Sequence, residues 1–218
     1  MSVITIERKV LQKNDEIATQ NREIFTKKGL FVINVVSSPG SGKTSILEKT
    51  LEHLKGKIKI AVIEGDVQTD IDTKRVERYG VPVVQIVTNG GCHLEAKLVK
   101  DALDNMSLDD VNILVIENVG NLVCPAGYDL GENMKVVIVS TTEGDDKPLK
   151  YPKMFRNASV LIINKTDLLS YVDCNIEELK KNALQINPSL KIFETSCTSV
   201  EGIPEWCQWL ERNVSEKI

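Results

Sequence analysis

Residues Ser37 to Ser45 read SSPGSGKTS and follow directly on the apolar run Leu30 to Val36. A buried strand, a glycine-rich turn and a Lys-Thr pair opening a helix form a cradle for phosphate. Small residues at Ser37, Ser38, Gly40, Ser41 and Gly42 let backbone N–H groups converge on an anion. Lys43 supplies positive charge for the β and γ phosphates, the Thr44 hydroxyl can ligate Mg²⁺, and Ser45 completes the motif. The helix that follows turns its positive dipole end on the same phosphates. The pattern G-x-x-x-x-G-K-[ST] places Gly first; here that position is Ser37, which is small enough to enter the turn.

A second segment addresses the base. The short apolar run Val160 to Ile163 leads into Asn164-Lys165-Thr166-Asp167. A carboxylate only accepts hydrogen bonds. Guanine shows two adjacent donors on one edge, and Asp167 can take both in a charge-assisted pair. Adenine has no such pair. The Lys165 stem can lie over the base plane and Asn164 can brace the loop. Downstream, Thr195 to Ser199 can close over guanine through backbone N–H groups, with Ser196 and Cys197 as the expected contacts.

Acidic residues at further strand ends suit Mg²⁺, which takes few carboxylates and keeps several waters. Asp66 ends the run Ile60 to Glu64-Gly65, in the plane of the phosphates, and Asp70 and Asp72 follow in a loop able to move. For Asp70 capping of the next helix is an equal alternative. Val111 to Ile116 ends in Glu117-Asn118-Val119-Gly120. Many GTPases have Asp-x-x-Gly there; Glu117 can serve the metal shell in its place. The Gly120 N–H can bond a γ phosphate and release it after hydrolysis, making the residues beyond it a natural switch. Lys43, Asp66, Glu117 and Gly120 form the expected catalytic set.

Cys92 and His93 lie just past the strand Pro82 to Val87, and Cys124 lies four residues after Gly120. Thiolate plus imidazole suits Zn²⁺ and also Ni²⁺. Three ligands leave a tetrahedral shell unfilled, and a symmetric dimer can supply the rest. The other histidine, His53, reads as surface. Cys174 reads as a loop thiol and Cys207 as part of a C-terminal core face.

Positioning these residues requires alternating elements. Strands are expected near 30–36, 58–64, 83–87, 111–117, 134–140, 159–163 and 190–194. Helices are expected near 43–55, 69–79, 92–105, 175–186 and 203–213. Strands this apolar, separated by helices, imply an α/β fold: a mostly parallel sheet covered on both faces, with ligands at the carboxyl ends of its strands. Residues 6–28 have helical period with a sparse stripe of Ile6, Val10, Ile17, Ile24 and Phe25. The chain thus reads as an N-terminal helical segment, 1–28, and a nucleotide-binding domain, 29–218.

The 218 residues, 42% apolar, suffice for one such domain. A net charge of −4 argues against a nucleic-acid partner. No apolar run approaches a membrane span. Five cysteines without an export signal point to a reducing, cytoplasmic setting.

The phosphate loop, EGDVQTDIDTKR, NGGCHLEAKLV, IENVGNLVCPAGYDLGE and TTEGDDKPLKYPKMF together resemble HypB, the family of hydrogenase nickel-incorporation GTPases. The likeness runs from residue 30 to about 200. It implies a three-layer P-loop NTPase of the signal-recognition-particle/MinD/BioD class that hydrolyses GTP slowly with Mg²⁺. It implies that Cys92, His93 and Cys124 form a Ni²⁺ or Zn²⁺ site at a GTP-dependent homodimer interface. It further implies nickel delivery to the [NiFe]-hydrogenase large-subunit precursor, with the metallochaperone HypA as partner. Lys147 either reaches the dimer partner or is a loop charge. The sequence shows no histidine-rich N-terminal tract and no N-terminal CxxC-type site, so nickel storage is not expected. Two other functions compete. A urease accessory GTPase is expected to carry Cys-Pro-His, whereas here Cys92 is followed by His93, and Cys124-Pro125 by Ala126. A metal-regulated signalling switch would bind GTP without moving metal. A small-molecule kinase leaves the NKxD segment without a role.

Overall fold

Among the described residues, seven strands form one sheet in the order β3-β2-β4-β1-β5-β6-β7. They are β1 (Phe31–Ser37), β2 (Ile60–Asp66), β3 (Val83–Val87), β4 (Ile113–Glu117), β5 (Met134–Ser140), β6 (Val160–Asn164) and β7 (Lys191–Glu194). All seven expected strands are present. Every pairing is parallel, where the apolar runs alone implied a mostly parallel sheet. The computed structural model describes residues 6–216, and their side chains from Val10 onward.

Each strand has β-branched and aliphatic residues on both faces, as burial from two sides requires. Ile33, Val62, Val115 and Ile138 face one helical layer; Val32, Ile63, Leu114 and Val137 face the other. The first layer contains α2 (Lys43–Leu54), α3 (Ile71–Glu77) and α8 (Ile203–Ser215); the second contains α1 (Ile6–Lys27), α4 (Ala96–Leu103), α6 (Pro152–Arg156) and α7 (Ile176–Ile186). Cys207 is fully buried in the α8 face, in one core cluster with Trp206 and Phe193.

Three expectations need correction. The helix expected from residue 92 begins at Ala96, because Gly90 takes a left-handed φ of 96° and residues 88–95 form a loop. Cys92 and His93 therefore sit on a loop ahead of α4. Residues 147–156, not assigned to a helix from the sequence, form the short helices α5 (Lys147–Lys150) and α6, each started by a proline in its first turn. The buried face of α1 is Asn14, Ala18, Asn21 and Phe25. Val10 of the expected apolar stripe is instead 43% exposed, Ile17 and Ile24 are half-buried, and Ile6 lies outside the described side chains. No described helix is long and apolar enough to cross a membrane.

The chain passes from β1 outward to β2, but from β4 across β1 to β5. These diverging connections open a crevice at the carboxyl ends of β1 and β4. The loops carrying the candidate residues meet there.

Candidate nucleotide and metal site

The loop after β1 is tied to the loop after β6. Asn164 Nδ2 donates to Ser41 O at 2.9 Å, and Lys165 Nζ donates to Gly40 O at 2.8 Å. Gly42 adopts φ 97°, and a Cβ there would run into Asn164 Nδ2, so only glycine fits without displacing that amide. Lys43 Nζ lies 3.2 Å from Ser37 Oγ, inside the loop. Ser41 Oγ lies 2.7 Å from Glu143 Oε1. Thr195 Oγ1 reaches Asn164 Oδ1 at 3.3 Å and Cys197 Sγ reaches it at 3.8 Å, while Ser196 is fully buried. Asp167 is exposed on the rim of the same loop. The three segments singled out for a guanine nucleotide thus converge on Asn164. Ser45 faces away from this group and accepts a bond from Arg75 at 3.2 Å.

Beneath the loop, Thr44 Oγ1 donates to Glu117 Oε1 at 2.9 Å. Glu117 is the register partner of Glu64 on β2, and both side chains are almost fully buried. As carboxylates, Glu64 Oε1 and Glu117 Oε2 find no donor; the proton that Glu64 retains is shared with Glu117. Burial, then the neighbouring Glu117 charge, pushes the Glu64 carboxyl up to about 10. Burial also raises Glu117, against the pull of the Lys43 ammonium. Two buried carboxyls with free oxygens, beside a threonine hydroxyl, make a donor set for a hard divalent cation. Sequence reading missed Glu64. The signal was the parallel pairing of β2 with β4, which aligns one strand-end glutamate with another.

Asp66 is half-buried and folds back on its own chain, taking the N–H groups of Gln68 at 2.8 Å and Thr69 at 2.7 Å. Burial opposes its ionisation, but these bonds hold it below the usual carboxylate range. Asp72 pairs with Arg75 at 3.1 Å, and its charge is felt by both Glu64 and Glu117. Arg75 also pairs with Glu48 on α2. Asp70 precedes α3 but makes no side-chain cap bond; it pairs with Lys74 at 2.7 Å. Gly120 backs onto the phosphate loop, where a Cβ would lie 3.2 Å from Pro39 Cα. Lys147 is largely covered, 3.7 Å from Glu143 Oε2 and over the Tyr151 ring.

Cys92, His93 and Cys124 come together, with one ligand atom from each within 4.8 Å of the others. His93 Nδ1 lies 3.5 Å from Cys92 Sγ, and the imidazole packs on Tyr128 with ring centres 4.0 Å apart. A hydrogen bond with Cys124 and burial raise the Cys92 thiol; burial lowers His93, which favours the neutral, ligating imidazole. Asn121 Nδ2 donates to Cys92 O at 3.3 Å, binding the two loops to each other.

A second amide joins this cluster to the phosphate side. Asn118, between Glu117 and Val119, is buried, and its Oδ1 accepts the N–H of Leu94 at 3.0 Å. Leu94 is the residue after His93. Asn118 Nδ2 donates to Asn34 on β1 at 3.2 Å. The segment leading to Gly120 therefore holds the backbone next to His93.

A family model for the CobW/HypB/UreG nucleotide-binding domain matches residues 31–194. The hydrogenase maturation factor HypB of Azotobacter chroococcum mcd 1 is 51% identical over 216 residues, covering 99% of this chain and 71% of that protein. The chain belongs to the HypB family. A crystal structure of HypB from Helicobacter pylori in complex with nickel superposes with a TM-score of 0.88 at 39% identity, covering 94% of this chain and 96% of that one. HypB from Archaeoglobus fulgidus superposes with a TM-score of 0.87, also at 39% identity, covering 93% and 99%. The architecture is that of the HypB P-loop NTPases.

Proposed function

We propose that this chain is a cytoplasmic, GTP-hydrolysing metallochaperone that binds nickel or zinc and assists nickel insertion into [NiFe]-hydrogenase through a GTP-dependent homodimer. HypA and the hydrogenase large-subunit precursor are its proposed partners. Asn118 carries this reading: one buried amide sits between the carboxylate beneath the phosphate loop and the backbone of the thiol–imidazole cluster. Asp167 selects guanine, Ser196 and Cys197 close over it, and Asn164 and Lys165 hold the Asp167 loop against the phosphate cradle of Gly40, Ser41, Gly42, Lys43, Thr44 and Ser45. The orphaned oxygens of Glu117 and Glu64 fit Mg²⁺, with Thr44, Asp66 and Asp72 as its other proposed neighbours. When bound, Mg²⁺ offsets charge on the β and γ phosphate oxygens.

In this reading the Gly120 N–H senses the γ phosphate. Its displacement pulls on Asn118, and hence on the Leu94 N–H beside His93. GTP orders the two ligand loops and brings two chains together around a shared metal; hydrolysis loosens the shell and frees the cargo. Linkage requires that metal strengthen dimerisation by the factor by which dimerisation strengthens metal binding. The test is Cys124→Ala, followed by sedimentation with and without Ni²⁺ or Zn²⁺, in GDP and in a GTP analogue. The expected outcome is loss of metal binding and of metal-dependent dimerisation with GTP affinity unchanged. Parental metal affinity in the variant, or metal affinity indifferent to dimerisation, overturns the reading.

A further inference from the structure

The N-terminal helix α1 buries two asparagines where an apolar stripe is the norm. Asn14 and Asn21 lie seven residues apart, on one helical face. Each touches both ligand-bearing loops. Asn14 Oδ1 accepts the N–H of Ala96, the first residue of α4, at 2.9 Å, while its Nδ2 donates to Asp129 O at 2.8 Å. Asn21 Nδ2 donates to Ala96 O at 2.8 Å and to Leu130 O at 3.1 Å. Both partners of that nitrogen are carbonyls, which fixes the orientation of the amide.

Ala96 closes the loop that carries Cys92 and His93. Asp129 and Leu130 follow the turn that carries Cys124. No cap comes from the local chain, since Glu95 makes no side-chain bond at the start of α4. Asn14 satisfies that open donor from a distance. Three further features seat the helix. Arg22 Nη2 reaches both oxygens of Asp129, at 2.9 and 2.7 Å. Gly131, at φ 93°, leaves room for α1; a Cβ there would lie 2.7 Å from Ala18 O. Phe25 packs in one cluster with Leu94 and Leu130, so apolar contact spans the same two loops.

We propose that Asn14 and Asn21 are positioning residues for the thiol–imidazole centre, with helix α1 as the brace that sets the distance between Cys92–His93 and Cys124. The inference rests on the metal-binding reading given above. Groups hydrogen-bonded to the ligands commonly change metal affinity about 10–100-fold, and Asn14 and Asn21, one step further out, are expected at the low end of that range. A brace of this kind also makes the centre sensitive to anything that displaces α1.

The test uses the full chain and two readouts. One is Zn²⁺ and Ni²⁺ affinity by competition with a chromophoric chelator, with GDP affinity as the internal control. The other is the yield of Cys92–Cys124 cross-linking by dibromobimane without metal, with Cys124→Ala as background. Asn21→Ala is expected to weaken metal roughly 10-fold and to lower the cross-linking yield, with GDP affinity within twofold of the parent. Asn14→Asp separates brace from cap: aspartate still accepts the Ala96 N–H but has no proton for Asp129 O. If the brace acts, Asn14→Asp weakens metal as Asn14→Ala does. Parental metal affinity and cross-linking in Asn14→Asp mean that the asparagine serves α4 alone, and the proposal falls. Should Asn21→Ala lose GDP binding as well, through misfolding, Asn14→Asp decides. Parental metal affinity in Cys124→Ala overturns the metal reading instead, and the cross-linking yield still judges the brace.

Discussion

Glu64 and Glu117 stand side by side at the ends of β2 and β4, both buried, each with one carboxylate oxygen lacking a hydrogen bond. Two charges buried together are unfavourable without a cation, so in its absence the pair keeps a proton. The Glu64 carboxyl, at about 10, titrates far above its ordinary value of 4.5. The folded chain therefore keeps a proton that the unfolded chain gives up. This contribution to stability is fully present below about pH 4.5 and is lost progressively as the pH rises toward 10. Glu64→Gln removes the Glu64 part of the dependence and leaves that of Glu117, which burial also raises. In EDTA near pH 8 the variant is expected to exceed the parent in stability by at least about 1 kcal/mol, with the gap closing toward pH 5. Urea unfolding at both pH values measures it, and a gap that is absent or inverted contradicts the assignment.

Asp167→Asn is expected to weaken GTP by about 10–150-fold, the loss of one charge-assisted bond of about 1.5–3 kcal/mol. The substituted amide offers one acceptor and one donor, which suits the 2-carbonyl of xanthine. Titrating guanine and xanthine nucleotides against the variant tests both halves of the statement. Undiminished GTP affinity rules out Asp167 as the base reader.

Gly40 and Gly42 both have positive φ, but only Gly42 is crowded, with Asn164 in the way of a Cβ. Gly40→Ala should cost the backbone term alone, about 1–2 kcal/mol. Gly42→Ala should cost more, about 2–3 kcal/mol, and weaken nucleotide by detaching Asn164 from the loop. Thermal melts and nucleotide titration of the two variants give the comparison; equal effects would show that Asn164 yields freely.

No glutamine or histidine follows directly on Gly120, and the phosphate loop contains no arginine. Hydrolysis by the isolated chain should be slow, below about 0.1 per second, as in unassisted GTPases. Lys43→Ala should abolish it. Single-turnover rates of several per second without a partner would show that a group not yet named positions the water.

Sequence reading reached furthest where periodicity and chemistry agree. Strands such as Ile60–Asp66 are apolar on both faces and end in residues with an obvious use, so they and their loops were legible. Asn14 and Asn21 were not. A search for apolar residues at helical spacing passes over a face whose buried positions are amides, because those amides answer to carbonyls more than 70 residues away. Glu64 escaped for a related reason: it becomes notable only once β2 lies beside β4. The helices at 147–156 are too short for a period to show. The Cys92–His93–Cys124 cluster fell between these cases. The residue types suggested it, but only the packing of two loops after β3 and β4 brings the three together.

The strand order has one more consequence. β1 stands fourth of seven, with β5, β6 and β7 on one flank and β4, β2 and β3 on the other. On the proposed reading, the identity of the base is checked on the first flank, while the metal centre straddles the two: Cys92 and His93 follow β3 on the second, and the turn of Cys124 packs among β5, β6 and α6 on the first. GDP and GTP present the same guanine and differ only in the terminal phosphate, which on this reading is met at Gly120. Exchange of one nucleotide for the other thus leaves the base pocket with nothing to report. The whole difference is delivered to the segment that runs between the two parts of the metal centre.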